Sequence, residues 1–298
     1  MPGSVSLRGA RGAAIVACIA SALAACADVR PPIPPSYGGD GSSEQPAALA
    51  ILPSHETEDE DPAPAADMTS SDEEDSGDAG AHPFREPLPA LGSDTTASRF
   101  AGLSDRECAK ELERRGLPFE PSEERADGIS KPLRVNGPIH EIRFVTPRAP
   151  SPFGMLDCRL ALALGDLATA LARYDVVEVR VDNFYRKNAA LPGKRKGKKR
   201  KLSQHAHALA ADITALKLKD GRTLSVPGDW HAPIGSVSCG PDAVMNEPSA
   251  NSIELRNIVC DVARQGIFHH MLTPSYNAAH QSHFHFDLER GAKKSSVR

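Results

Sequence analysis

Two short stretches that stand far apart in the chain have to meet, and that requirement constrains the fold more than any other feature of the sequence. Ser203 to Asp212 reads S-Q-H-A-H-A-L-A-A-D, and His280 to Asp287 reads H-Q-S-H-F-H-F-D. The first offers an imidazole and a carboxylate seven positions apart, the second three imidazoles spaced H-x-x-H-x-H. Two neutral imidazoles and one carboxylate, with a fourth position left to water, form the donor count of a catalytic rather than a structural Zn²⁺ site. The candidate donors are the imidazoles of the two stretches together with the carboxylate of Asp212.

Spacing decides which side chains can converge. Residues i and i+2 of a strand share a face, so His283 and His285 project together from an F-H-F-D strand while Phe284 and Phe286 face the other way. The run from His205 to Asp212 fits two helical turns or a loop entering a strand. The second is favoured, with His205 on the loop and Asp212 on a strand paired with the one that carries His285. Taken singly, an H-x-H or a lone buried histidine is most often structural. His207, His231, His269 and His270 are read as structural or exposed.

Taken together, His205, Asp212 and His285 match S-x-H-x-x-(G/A)-x-A-x-D followed by H-x-H, a pattern that resembles the LAS superfamily of zinc peptidases, which includes D-alanyl-D-alanine carboxypeptidases and the hedgehog signalling domain, and the resemblance implies these three as the zinc ligands. The stretch from Ser203 to Val226, the pair Asp229-Trp230 and P-S-Y-N-A-A-H-Q-S-H-F-H-F-D narrow it. They resemble the bacterial extensin-like C-terminal domain family, and the similarity spans residues 104–290. What the resemblance implies is a zinc-dependent hydrolase of the peptidoglycan stem or cross-bridge. By the same resemblance Arg186, in N-F-Y-R, faces the substrate and stabilises an oxyanion. Many carboxypeptidases of the superfamily have an acid three residues before the last ligand, where this chain has Ser282. The general base then falls to His283 or His280, and Asp287 orients a histidine.

Residues 1–25 join Arg8 and Arg11 to an apolar run ending in Leu23-Ala24-Ala25-Cys26, a secretion signal with a lipobox. Acylation of Cys26 would anchor the mature chain in the cell envelope, and Ala27 favours the outer membrane facing the periplasm. Residues 26–97 lack apolar periodicity and are rich in Pro, Gly, Ser and acids, which predicts a disordered linker. Three of the 35 basic residues (Arg8, Arg11, Arg30) and fourteen of the 39 acids precede residue 85, so residues 85–298 hold 32 basic against 25 acidic side chains. The chain-wide charge of -4 thus conceals a basic domain. Lys194 to Lys201 contributes seven Lys or Arg in eight positions. In an exported chain the partner for such a run is peptidoglycan or another anionic envelope polymer, and no nucleic acid is expected.

Residues 98–298 are expected to form one α+β domain with helices flanking an antiparallel sheet. Ser104 and Glu107 make a capping box ahead of a helix that Gly116 ends. Further helices are expected at 156–174 and 253–265, and strands at 140–146, 177–185, 209–218, 222–226 and 283–288. Cys108, Cys158, Cys239 and Cys260 are an even set in an exported domain, which points to two disulfides with three connectivities open. Cys108 with Cys158 and Cys239 with Cys260 is favoured, and a four-cysteine zinc site lacks any C-x-x-C pair. Two other functions compete with a hydrolase: an envelope-binding lipoprotein that keeps zinc without catalysis, and a cationic module driven by the basic run.

Overall fold

The computed structural model describes residues 82–191 and 200–298. The signal sequence, Cys26, most of the acid-rich segment and residues 192–199, which hold most of the basic run, lie outside the described residues. Packing begins ahead of residue 98. Pro83–Arg85 forms a 3₁₀ turn, and Phe84 is 1% exposed among Cys239, Ala243 and Cys260. Helix α1, Thr96–Gly102, follows, with Phe100 in the main core.

Helix α2 spans Asp105–Arg115 and starts as its sequence dictates. Ser104 accepts from the Glu107 amide while Glu107 reaches back to the Ser104 amide, and Gly116 closes the helix at φ 61°. Strands β1 (Phe119–Pro121) and β2 (Leu133–Val135) form a separate antiparallel pair. Strand β3 is Arg143–Val145. Helix α3, Cys158–Ala172, buries almost its whole circumference because α1, α2 and a later helix pack around it. Strands β4 (Val176–Asn183), β5 (Ala210–Leu218) and β6 (Thr223–Ser225) lead to the short helix α4 (Val226–Asp229) and to α5 (Ala250–Arg264). Strands β7 (His270–Leu272), β8 (Phe284–Asp287) and β9 (Ser296–Val297) end the chain.

The main sheet runs β3-β4-β5-β8-β7-β9, with β6 also on β5. The fold is α+β as expected, but the sheet is mixed rather than antiparallel. β3 pairs parallel with β4, and β7 parallel with β9. A parallel pair requires a crossover, and α3 is the one between β3 and β4. Val179, Val181, Ala211, Ile213, Phe284 and Phe286 share one core with α3 and α5. Disulfide Cys108–Cys158 ties α2 to the start of α3, and Cys239–Cys260 ties the segment after α4 to α5. Both are the favoured pairing.

Candidate metal centre

Strand register builds the site from the side of the sheet opposite the helices. Asp212 of β5 lies directly across from His285 of β8, and Ala211 and Ile213 pair with Phe286 and Phe284. Because the side-chain period is two, Asp212 and His285 share one face and the phenylalanines the other. On that core face Phe284 packs edge-on against Trp230 and Phe286 against Phe268. This is the arrangement expected from F-H-F-D. His205 arrives from a 3₁₀ turn, Gln204–His207, capped by Ser203 and closed by Ala208 at φ 51°. Gly128 backs the turn at φ +86°, and a Cβ there would stand 2.8 Å from the Ala206 carbonyl oxygen.

Three donor atoms meet at this point. His205 Nε2 is 3.0 Å from Asp212 Oδ1 and 3.0 Å from His285 Nδ1, and His285 Nδ1 is 3.1 Å from Asp212 Oδ1. Ligands held tetrahedrally at about 2.0 to 2.1 Å from Zn²⁺ stand about 3.3 Å apart, so the triangle has nearly the size of one face of such a site. His205, Asp212 and His285 are 0%, 2% and 6% exposed, and among the described residues they are the group whose donor atoms could hold a metal ion.

The outer nitrogens decide what faces inward. The Phe184 carbonyl lies 3.0 Å from His205 Nδ1, so that nitrogen carries the proton and Nε2 turns its lone pair to the centre. Asp287 Oδ2, 3.1 Å from His285 Nε2, does the same for His285 and leaves Nδ1 facing inward. Lone pairs and a carboxylate converging at this distance repel one another unless a cation or a proton lies between them. Protonation shows that demand. Burial opposes charge on His285, but hydrogen bonds to Asp212 and Asp287 outweigh it and push its pKa up to about 9. Burial would raise the Asp212 pKa, yet the imidazoles of His205 and His285 beside it hold it well below the ordinary 3.8.

The match with known proteins covers this whole region: residues 106–297 fit the family model described as extensin-like protein C-terminus. The chain belongs to that family. No curated protein and no solved structure matches it.

At the mouth of the extensin-like site stand the other expected residues. Arg186 follows β4, is about half exposed, and places Nη2 3.6 Å from Asp212 Oδ2. His283 Nε2 lies 3.4 Å from Asp212 Oδ1, and its Nδ1 is 3.1 Å from Ser282 Oγ. The His280 ring is 5.4 Å from that of His283 and 5.7 Å from that of His285. Burial lowers the pKa of both, His280 to about 4, so both imidazoles are neutral at pH 7. His280 also has a fixed tautomer. Asn277 Oδ1 accepts from the Ala279 amide at 3.0 Å, so it also accepts from His280 Nδ1 at 2.8 Å and leaves His280 Nε2 as the basic nitrogen. A cavity of ≈ 250 Å³ adjoins the centre, with Leu202, Ser203, Gln204, Tyr276, His285 and Asp287 in its lining.

Sequence reasoning missed Asn183, which donates to Asp212 Oδ2 at 2.9 Å. Strand alternation places Asn183 with Val181 on the core face. The structure bulges Asp182 out of β4, since Val181 pairs with Ile213 and Asn183 with Asp212, and the bulge carries Asn183 to the opposite face. His207, His231, His269 and His270 stay outside the donor triangle, as read from the sequence.

Proposed function

We propose that this chain is a zinc-dependent peptidase acting on the stem peptides or cross-bridges of peptidoglycan, held at the outer membrane through lipid on Cys26. The observation that carries the reading is the convergence of His205 Nε2, His285 Nδ1 and Asp212 Oδ1, each imidazole with its protonated nitrogen turned away. Three protein donors with room for a fourth ligand suit a catalytic zinc and fit the LAS superfamily of zinc peptidases. The lipobox and the acid-rich, apolar-poor segment after it support placement in the envelope.

Zn²⁺ held by these residues would supply a Lewis acid that polarises a scissile carbonyl and acidifies a water. The protein supplies the rest. His283, nearest to the donor triangle, accepts a proton as the water attacks, and His280 with its free Nε2 is the neighbouring base and proton carrier. Arg186 keeps one guanidinium nitrogen near Asp212 and offers the other N–H groups to a substrate carbonyl or carboxylate. Asp287 holds His285 in its inward-facing tautomer.

Metal analysis together with incubation on purified sacculi, with products resolved by mass, tests this reading. The full chain is expected to carry about one zinc and to release peptide fragments, and His205→Ala is expected to lose both properties. Zinc bound at full occupancy with no fragment released across stem and cross-bridge substrates would replace the peptidase with a zinc-containing envelope-binding lipoprotein.

A further inference from the structure

The Asp212 carboxylate is divided between two tasks. Oδ1 faces His205 Nε2 at 3.0 Å, His285 Nδ1 at 3.1 Å and His283 Nε2 at 3.4 Å. Oδ2 faces away and meets Asn183 Nδ2 at 2.9 Å and Arg186 Nη2 at 3.6 Å. We infer that Asn183 is a positioning residue that holds Asp212 to a single inward oxygen and so keeps one coordination position of the metal centre free. The inference rests on the metal reading above.

The orientation of the amide is fixed by chemistry. An ionised carboxylate only accepts, so Asn183 must turn its NH₂ group toward it. That choice strands the other end. Asn183 Oδ1 is buried with no hydrogen-bond partner among the described residues. An amide with one end unsatisfied carries a standing cost that an apolar residue of the same shape avoids. The β4 bulge at Asp182 is a second local cost, and its effect is to move Asn183 onto the face of Asp212. Two separate departures from a plain strand thus serve one contact.

The consequence concerns coordination number. A carboxylate with both oxygens free can close on a metal ion through both of them. With Oδ2 held by Asn183, Asp212 offers one donor, which with the two imidazoles makes three and leaves the fourth tetrahedral position for water or substrate. Arg186 is exposed and farther from Oδ2, so the nearer, half-buried Asn183 sets the constraint.

Cobalt(II) reports this directly, because its visible absorption is intense when four-coordinate and weaker when five-coordinate. The full chain loaded with Co²⁺ alone is expected to give the four-coordinate spectrum. Asn183→Leu removes the donor while keeping the shape, and Asn183→Ala removes it together with most of the side chain; a thermal melt identifies which variants fold. Folded variants are expected to show five-coordinate absorption and about 10- to 100-fold weaker metal binding. A folded variant with wild-type spectrum and affinity overturns the inference while leaving the metal reading standing. A wild-type chain that binds no cobalt brings down the metal reading, and this inference with it.

Discussion

His269 shows how the fold assigns protonation one histidine at a time. It is 1% exposed, its Nδ1 accepts from the Glu289 amide at 3.0 Å, and its Nε2 therefore donates to Ser98 Oγ at 3.2 Å. Burial, the leading cause, holds its pKa below the ordinary 6.5. Below pH 6.5 the unfolded chain takes up a proton there that the folded chain refuses. The stability from neutral His269 is thus complete above pH 6.5 and lost as pH falls below it, by at most about 1.4 kcal/mol per pH unit. Melting temperatures of the wild type and His269→Asn are expected to converge as pH drops from 7 toward 5; a gap independent of pH would refute this assignment. Legibility differed among residues in a physical way. His205, Asp212 and His285 could be read because strand spacing restricts which groups meet and the motif shared with a resembling superfamily singles out these three. Asn183 and Asn277 could not, because a bulge and a turn aim them and neither leaves a periodic trace.

Arg256 organises the segment between α4 and α5. It is fully buried, has no carboxylate partner among the described residues, and lies 3.9 Å over the Trp230 ring. Its Nη1 donates to the carbonyls of Ser238 and Val244 at 2.9 and 3.2 Å, and Nη2 to that of Trp230 at 3.1 Å. One side chain on α5 therefore gathers the segment that Cys239–Cys260 fastens covalently, and Trp230 in turn braces Phe284 beside His283 and His285. Arg256→Leu leaves three carbonyls short of a donor, at about 1 to 3 kcal/mol for each that stays buried. Urea unfolding is expected to show a loss of at least about 3 kcal/mol, with Arg256→Lys restoring only part because an ammonium cannot span three acceptors from that position. A loss under about 1 kcal/mol would mean that the disulfide alone holds the segment. Elements with strong local signals were legible. The capping box of α2 and the apolar run of α3 fell where expected. β7 and β9 are three and two residues long, too short for alternation to register, and the parallel pairings follow from long-range crossovers that no local pattern encodes.

Among the described residues, packing is already present at Pro83–Arg85, ahead of residue 98, because what anchors this stretch is one phenylalanine among prolines, a signal without period. The larger division is one of charge. Fourteen acids against three basic residues precede residue 85, and 32 basic against 25 acidic side chains follow it. Net charge over the chain is -4, which by itself predicts repulsion from an anionic polymer. Charge arrangement predicts attraction instead, because Lys194 to Lys201 concentrates seven cations within eight residues and screening confines each group's influence to about 8 Å at physiological salt. At that range the acids of the N-terminal segment count only where they come close to the run. Binding of the full chain to sacculi is therefore expected to weaken at least about tenfold as salt rises from about 0.05 to 0.5 M, where the screening length falls several-fold. Replacing the seven Lys and Arg of Lys194–Lys201 by Gln is expected to abolish most of that dependence while leaving the proposed zinc content unchanged, since the proposed ligands, His205, Asp212 and His285, lie outside the run. Binding that ignores salt, or that survives the replacement at full strength, would assign recognition of the envelope to the cleft rather than to the basic run.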